Sequence, residues 1–302
     1  MGARMAQGRI AVMGAGAVGC FYGARLAQAG ADVVLIGRPA LVDAVAAEGL
    51  RLDMGGETIR LPVAASADPA AVAGADLVLF CVKSGDTEAA GRQIAPYLAP
   101  GAQVLSLQNG VGNAERLAAV IGQLVLPTVV YVAAQMGGPG HVIHRGRGDL
   151  VIGEGPGAAE VAARLRAAGI KAEVSGQTLA AQWEKLVINC ALNAISAVTA
   201  APYGRIVAQP GALDLMQGVV AECAAVAAAS GVALPDGIWD QVLRIADAMP
   251  TQISSTAQDM QRGRATEIDF LNGEILRRGQ ALGLPTPLNA ALTVLVKLAE
   301  QR

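Results

Sequence analysis

Residues 14–19 read Gly-Ala-Gly-Ala-Val-Gly, and this stretch decides the fold. It follows the apolar run Arg9–Met13 and opens an Ala-rich helical pattern, which is the context of a GxGxxG loop at the start of a βαβ unit. Gly14 permits the tight turn, Gly16 lets the backbone approach a pyrophosphate, and Gly19 lets the helix pack against the strand. The N–H groups and positive dipole of the helix N-terminus attract phosphates. The loop therefore predicts a dinucleotide site, and the alternative is a plain turn in an Ala/Gly-rich chain.

Outward from this loop, strand-like and helix-like segments alternate up to about residue 176. Three further runs have the nearly continuous apolar character of strands that are buried on both faces. They are Asp32–Ile36, Asp76–Val82 and Gln103–Leu107. Amphipathic segments lie between the runs, for example Val18–Ala29 and Leu41–Ala47. This rhythm predicts an α/β fold with an N-terminal Rossmann-type, doubly wound parallel sheet.

The rest of the chain changes from strands to helices. Three more β-like runs come first: Thr128–Val132, His141–His144 and Leu150–Ile152. We expect residues 145–149 to form a hairpin turn between the last two runs. From Thr178 onward the patterns are nearly all helical. We therefore predict two domains, a sheet-containing domain over residues 1–176 and an all-helical domain over residues 177–302.

The end of the second strand discriminates between nicotinamide cofactors. NAD-preferring sites place an Asp or Glu there, about 20 residues beyond the loop, for the ribose 2′-hydroxyl. This chain instead has Gly37-Arg38-Pro39 and no acid. A guanidinium can pair with a 2′-phosphate through its planar fork. The sequence therefore predicts NADP(H), and the alternative for Arg38 is a solvated loop charge.

Lys83 and Asn109 each come at the end of a predicted strand or directly after it. Ligands of an open α/β sheet bind outside the carboxyl ends of its strands. We therefore expect both side chains to line the cofactor site. The alternatives are a solvated Lys83 and an Asn109 that only forms a turn.

The helical domain begins with a polar ladder on an otherwise apolar helix. Lys185, Asn189 and Asn193 stand at i, i+4 and i+8, and each step of four advances only about 40° around the helix axis. Asn is a poor residue for a helix interior, and buried amides cost free energy unless they are paired. We therefore expect polar partners such as a substrate. The alternative is that Lys185 lies on the surface and the two amides bond only to neighbouring helices.

Lysine is scarce in this chain, with four residues against 19 arginines. Because a desolvated lysine can release its proton and arginine cannot, Lys185 is the candidate proton donor. His141 and His144 are an alternative, although an i, i+3 spacing on a strand points them to opposite faces.

A second polar cluster covers residues 254–259 (SSTAQD) and 262–273 (RGRATEIDFLNG). Residues 266–272 have the pattern of a capped helix start. Glu267 would lie near that N-terminus, where the helix dipole favours the ionised carboxylate. Simple helix capping is the alternative.

Composition excludes several classes of protein. Lys plus Arg is 23 and Asp plus Glu is 25, and the net charge of −2 gives no long-range attraction for nucleic acid or an anionic membrane. No uninterrupted apolar run reaches the roughly 20 residues of a membrane span. The four cysteines lie far apart without CxxC, so we expect no disulfide framework, no metal site and a cytoplasmic location. The apolar surplus of the helical domain permits a homodimer without requiring one.

Together these motifs resemble the ketopantoate reductase (2-dehydropantoate 2-reductase) family from about residue 9 to residue 300. The matching stretches are residues 14–19, 81–87 (CVKSGDT), 107–113 (LQNGVGN), 183–198 (WEKLVINCALNAISAV) and 254–273. The last two are the most specific. The resemblance implies a Rossmann domain followed by a helical substrate domain. It also implies NADPH-dependent reduction of ketopantoate to (R)-pantoate, on the route to pantothenate and coenzyme A.

The resemblance also implies a role for each matching residue. Lys185 matches the catalytic lysine, which protonates the carbonyl oxygen of the substrate, and Glu267 matches a glutamate at the cofactor and substrate site. The positions that match substrate-binding residues are Asn109, Asn189, Asn193 and Ser255. The positions that match cofactor contacts are Gly14, Ala15, Gly16, Ala17, Val18, Gly19, Arg38, Lys83, Asn109, Ala134 and Glu267.

Three places depart from the common pattern of the family: Pro202-Tyr203, Gln252 and Thr256-Ala257. They fall around the substrate positions, and they keep open a paralogous NADPH-dependent reductase of another 2-keto acid. A β-hydroxyacid-dehydrogenase-like or opine-type enzyme is a further candidate, which residues 254–269 argue against. A non-catalytic NADP(H)-binding regulator is the last candidate, and the polar set around Lys185 argues against it.

Overall fold

The structure is a computed structural model that describes residues 8–301. Residues 1–7 and 302, which the predicted ranges 1–176 and 177–302 include, lie outside the described residues. The chain divides into two compact units, Met1–Thr178 and Leu179–Arg302.

The described part of the first unit contains ten strands and five helices. The strands are β1 (Arg9–Met13), β2 (Val33–Ile36), β3 (Leu50–Met54), β4 (Glu57–Leu61), β5 (Ala64–Ser66), β6 (Ala75–Phe80), β7 (Gln103–Ser106), β8 (Val125–Gly138), β9 (His141–Gly153) and β10 (Ala172–Ser175). The helices are α1 (Ala17–Gln28), α2 (Pro39–Glu48), α3 (Thr87–Ile94), α4 (Asn113–Ile121) and α5 (Ala158–Ala167). Single 3₁₀ turns cover Pro69–Val72, Ser84–Asp86 and Ala95–Tyr97.

The ten strands form one sheet. Its order is β4-β3-β9-β8-β7-β6-β1-β2-β5, and β10 pairs with β9. The strands from β5 to β8 in this order are all parallel, whereas β8 pairs antiparallel with β9 and β3 with β4. Because β1 lies between β2 and β6, the loop that follows β1 lies where the strand order reverses, which is the ligand-binding point of such sheets.

Helices cover both faces of the sheet, as the apolar strands predict. Val12 packs with Leu26 of α1 on one face, and the adjacent Met13 packs with Leu117 of α4 on the other. Successive strand residues point to opposite faces, so a strand in this position has to be apolar throughout. The prediction of a doubly wound Rossmann-type sheet is confirmed.

Two details of the sheet differ from the prediction. Residues 145–149 form no hairpin turn, because β9 runs through them. Arg147 has a left-handed backbone (φ 59°), and the pairing with β8 shifts register between Tyr131 and Val132; bulges therefore accommodate the glycine-rich stretch within the strand. The hairpin β3–β4 was not predicted, although Gly55-Gly56 is a typical two-residue turn signal.

The described residues of the second unit form helices and no strand, which agrees with the predicted all-helical domain. The helices are α6 (Thr178–Thr199, whose first residue falls in the first unit), α7 (Tyr203–Val207), α8 (Ala212–Ala229), α9 (Ile238–Ala248), α10 (Ser255–Gln261), α11 (Asn272–Leu282) and α12 (Pro287–Ala299). A 3₁₀ turn at Ile268–Phe270 precedes α11.

Among the described residues, α8 alone is long and apolar enough to cross a membrane, and core helices of globular domains have the same length and composition. In this unit the α8 residue Glu222 accepts hydrogen bonds from the backbone N–H groups of Leu288 (2.8 Å) and Asn289 (2.9 Å). The carboxylate thereby satisfies the N-terminus of α12 and ties the two helices together.

Candidate functional site

The glycine-rich loop after β1 is packed tightly on one side. Gly14 has a φ of +98°, and a Cβ there would lie 2.5 Å from the backbone nitrogen of Val82. A Cβ at Gly19 would collide with the carbonyl oxygen of Gly14. The Gly14 N–H donates to the carbonyl of Ile36 at 3.0 Å. Only glycine meets these constraints, so the tight turn and the close helix contact predicted for Gly14 and Gly19 are present.

The same loop is open at Gly16. Gly16 is exposed, and a Cβ built on it would meet no atom within 4 Å. It precedes the first turn of α1 and supplies no side-chain cap to the helix N–H groups. Open space at an uncapped helix N-terminus suits the pyrophosphate of a dinucleotide. The residues present therefore fit the predicted cofactor.

The predicted cofactor residues of the first unit gather at one edge of the sheet. Arg38 follows β2, Lys83 comes shortly after β6 and Asn109 shortly after β7. Because these strands are parallel, their carboxyl ends share an edge. The contact between Gly14 and Val82 brings the segment that carries Lys83 against the loop.

Arg38 and Ala134 occupy the flanks of this edge. Arg38 is exposed, and it makes no ion pair within residues 8–301. Ala134 lies in β8, which runs parallel to β7 and pairs Pro127 with the last residue of that strand, Ser106. Because β8 continues in the same direction, Ala134 lies beyond the carboxyl end of β7 and is partly buried.

The polar ladder of the second unit lies on the 22-residue helix α6. Lys185 and Asn189 are partly buried, and Asn193 is only 3% exposed. The neighbouring positions Leu186 and Cys190 are fully buried. The helix therefore carries the predicted ladder on a packed framework, with Lys185 half-buried.

Asn193 has partners on both its side chain and its backbone. The hydroxyl of Tyr203 donates to Asn193 Oδ1 at 3.3 Å, and Ser254 Oγ donates to the Asn193 carbonyl at 3.2 Å. Burial raises the pKa of Tyr203 to about 12, so the phenol stays neutral. The side-chain oxygen of Asn193 thus has a hydrogen-bond partner within the helical unit, as the alternative interpretation of the ladder expected.

Ser255 and Ser254 have different positions although they are adjacent. Ser254 is 1% exposed and is the N-cap of α10, accepting from the Ala257 N–H at 3.0 Å. Ser255 is exposed on the first turn of α10. The capping serine was missed, and two adjacent serines in the sequence do not reveal which of them caps the helix.

Glu267 precedes a 3₁₀ turn and not a regular helix. Thr266 Oγ1 accepts from the Ile268 N–H at 3.2 Å, but the N-cap residue of the turn, Glu267, makes no side-chain cap bond, and α11 begins only at Asn272. The prediction of a capped helix start at residues 266–272 is therefore corrected to a single 3₁₀ turn. Glu267 itself is partly buried.

The two histidines have structural partners in the first unit. His141 Nε2 lies 2.7 Å from Asp53 Oδ2, and His144 stacks on Phe21 with ring centroids 4.7 Å apart. Within residues 8–301 there is no group of three or more His, Cys, Asp or Glu side chains that could hold a metal ion.

The sheet topology and the open glycine loop define a Rossmann-type dinucleotide-binding protein with an appended helical domain. Residues 10–157 match the family described as "Ketopantoate reductase PanE/ApbA", and residues 177–300 match "Ketopantoate reductase PanE/ApbA C terminal". The chain belongs to the ketopantoate reductase family.

Individual relatives are similar over nearly their whole length. The 2-dehydropantoate 2-reductase of Archaeoglobus fulgidus is 34% identical over 97% of this chain and 98% of its own length. The crystal structure of a PanE/ApbA family ketopantoate reductase from Ralstonia eutropha JMP134 is 54% identical, with a TM-score of 0.95 over 97% of this chain and 98% of that one. A ternary structure of D-mandelate dehydrogenase with NADH and anilino(oxo)acetate is 25% identical, with a TM-score of 0.90 over the same shares.

Proposed function

We propose that the chain is an NADPH-dependent 2-dehydropantoate 2-reductase, which reduces ketopantoate to (R)-pantoate for pantothenate and coenzyme A biosynthesis. The observation that carries this proposal is the Lys185, Asn189 and Asn193 ladder on α6, in a chain that belongs to the ketopantoate reductase family. We assign cofactor binding to residues 1–176 and substrate binding with catalysis to residues 177–302.

Lys185 is the general acid in this proposal. It donates a proton to the carbonyl oxygen of the keto acid, and its positive charge stabilises the negative charge that develops on that oxygen. Lysine suits the task because it releases its proton when partly desolvated, whereas arginine does not. When bound, NADPH supplies the hydride that reduces C2.

The cofactor is held by the edge of the sheet. Residues 14–19 and the N-terminus of α1 take the pyrophosphate, and Arg38 pairs with the 2′-phosphate. Lys83, Asn109, Ala134 and Glu267 contribute further contacts. The guanidinium of Arg38, which follows β2, is exposed and makes no ion pair within residues 8–301. It supports the choice of NADP(H) over NAD(H).

The substrate is held by amide and hydroxyl groups. Asn109, Asn189, Asn193 and Ser255 hydrogen-bond its carboxylate and oxygen atoms, and Glu267 acts with Lys185 at the reacting centre. The substrate is thus a small-molecule 2-keto acid. The net charge of −2 gives no attraction for a nucleic-acid or membrane partner, and the four scattered cysteines support a cytoplasmic enzyme. Gel filtration tests whether it forms a homodimer.

Substitution of Lys185 distinguishes an enzyme from a cofactor-binding regulator. In Lys185→Ala we expect cofactor affinity within about twofold of wild type and a turnover loss of about 10²–10⁴. Lys185→Arg is the matched variant, because it keeps the charge and loses the releasable proton. Unchanged turnover in both variants would remove Lys185 from the mechanism.

A reductase of another 2-keto acid is the second candidate. The observation that favours it is Tyr203, whose hydroxyl occupies Asn193 Oδ1 and whose backbone N–H donates to the carbonyl of Gln252 at 3.0 Å. Both residues depart from the family pattern, and they join at a predicted substrate residue. Comparison of ketopantoate with a panel of 2-keto acids separates the two candidates.

A further inference from the structure

A buried polar cluster joins the loop after β6 to the loop after β7. We call it the loop clamp and define it as Ser84, Gln108, Asn113 and Arg116. Ser84 is 0%, Gln108 7% and Asn113 3% exposed. The loop clamp lies beside two predicted cofactor residues, Lys83 and Asn109, but neither the glycine motif nor the sheet pattern indicates it.

The loop clamp holds the backbone of Asn109 from two directions. The Asn109 carbonyl accepts hydrogen bonds from Ser84 Oγ at 3.1 Å and from Asn113 Nδ2 at 2.6 Å. Asn113 Nδ2 also lies 3.3 Å from Ser84 Oγ. Asn113 therefore contacts both the residue after Lys83 and the backbone of Asn109.

The clamp also holds the backbone on both sides of Lys83. The carbonyl of Val82 accepts from Gln108 Nε2 at 3.1 Å, and the carbonyl of Ser84 accepts from Arg116 Nη2 at 2.9 Å. Gln108 belongs to the loop after β7 and Arg116 to α4. The two bonds therefore tie the segment around Lys83 to that loop and to the helix that follows it.

The amide side chains of Gln108 and Asn113 form hydrogen bonds through both the nitrogen and the oxygen. Gln108 Oε1 accepts from Ser106 Oγ at 3.0 Å, and Asn113 Oδ1 accepts from Arg116. A buried network in which every member is paired fixes one geometry, whereas an apolar contact of the same size allows sliding. Fixing two loops relative to each other matters when both present groups to one ligand.

We propose that Asn113 is a positioning residue for the cofactor and acts through the linked loops that present Lys83 and Asn109. The inference rests on the proposed function, in which those two residues contact NADP(H). It predicts that loss of Asn113 weakens cofactor binding even where the fold is intact.

The test is the Kd for NADPH, measured by fluorescence titration of the purified protein without keto acid. Asn113→Ala removes three hydrogen bonds, those with Ser84 Oγ, the Asn109 carbonyl and Arg116, and we expect a Kd about tenfold higher. Ser84→Ala removes one donor to the Asn109 carbonyl and gives a smaller increase. Glu115→Ala is the control, because Glu115 is exposed on the same helix, and its Kd stays within twofold of wild type.

A double-mutant cycle separates positioning from a general structural role. In an Asn109→Ala background, Asn113→Ala raises Kd by no more than about threefold, because a residue that it positions is already gone. Tm is measured for every variant. Provided that wild type binds NADPH, two results would overturn the inference. The first is a lower Tm of Asn113→Ala with an unchanged Kd. The second is a Kd increase in the double variant that equals the product of the increases in the two single variants. If wild type does not bind NADPH, the proposed function itself fails.

Discussion

In the glycine loop after β1, a glycine-to-alanine substitution is expected to weaken ligand binding at one position and protein stability at another. Gly16→Ala adds a methyl group where no atom lies within 4 Å. Gly14→Ala adds the same methyl group at a φ of +98°, 2.5 Å from the backbone nitrogen of Val82. The first change fills space that the proposed function assigns to the pyrophosphate, and the second disturbs the folded protein itself.

The two positions differ in the expected magnitude of each effect. At Gly14 the left-handed backbone alone costs about 1–3 kcal/mol with a side chain. Because each kcal/mol lowers Tm by about 2–4 °C in a unit of this size, we expect Tm to fall by about 2–12 °C. At Gly16 the folded protein changes by less than about 0.5 kcal/mol. Crowding of the bound pyrophosphate by about 1–3 kcal/mol raises the Kd for NADPH about 5- to 150-fold.

Two measurements on each variant decide the outcome: Tm by differential scanning fluorimetry without ligand, and the Kd for NADPH by fluorescence titration. Gly138→Ala is the matched control, since a Cβ there also meets no atom within 4 Å, and neither quantity should change. The reasoning is refuted if Gly16→Ala binds NADPH as tightly as wild type, or if it loses as much Tm as Gly14→Ala.

Four further substitutions test individual side chains. Arg38→Ala is expected to raise KM for NADPH about 10- to 150-fold and to leave KM for NADH unchanged, because only the 2′-phosphate pairs with the guanidinium. Ser254→Ala removes the cap of α10 and a bond to the carbonyl of Asn193. We expect this change to lower the free energy of unfolding by about 1–2 kcal/mol, measured by thermal unfolding. Ser255→Ala, in contrast, should keep Tm and raise KM for the keto acid. Tyr203→Phe should raise that KM about 2- to 10-fold with little change in kcat. Since burial raises the pKa of Tyr203 to about 12, this effect should be constant across about pH 6–9.

The central sheet was predictable because its strands are buried on both faces. The runs around Val12, Leu79 and Leu105 are nearly continuously apolar. Because helical segments alternate with these runs along the chain, the pattern indicates parallel strands. The strand β3 alternates buried and partly exposed residues, so its apolar content is too low for the same pattern to indicate it. The bulged stretch of β9 was misread because its glycines are equally typical of a turn.

The candidate site was predictable wherever a characteristic residue type recurs in a regular pattern. The glycine loop and the ladder that contains Lys185 have such patterns. The bond between Tyr203 and Asn193 joins α7 to α6, and the bond between Asn113 and Asn109 joins a helix to the loop before it. Neither leaves a periodic signal, because tertiary packing decides which polar atoms meet.

The most direct test of the central claim is NADPH oxidation by the purified wild-type protein. Ketopantoate is compared with a panel of other 2-keto acids, and NADH replaces NADPH as the cofactor control. We expect rapid turnover with ketopantoate and NADPH, and turnover at least about tenfold slower with NADH. Tight NADPH binding without oxidation of NADPH by any keto acid in the panel would contradict the claim that this protein is a 2-keto acid reductase.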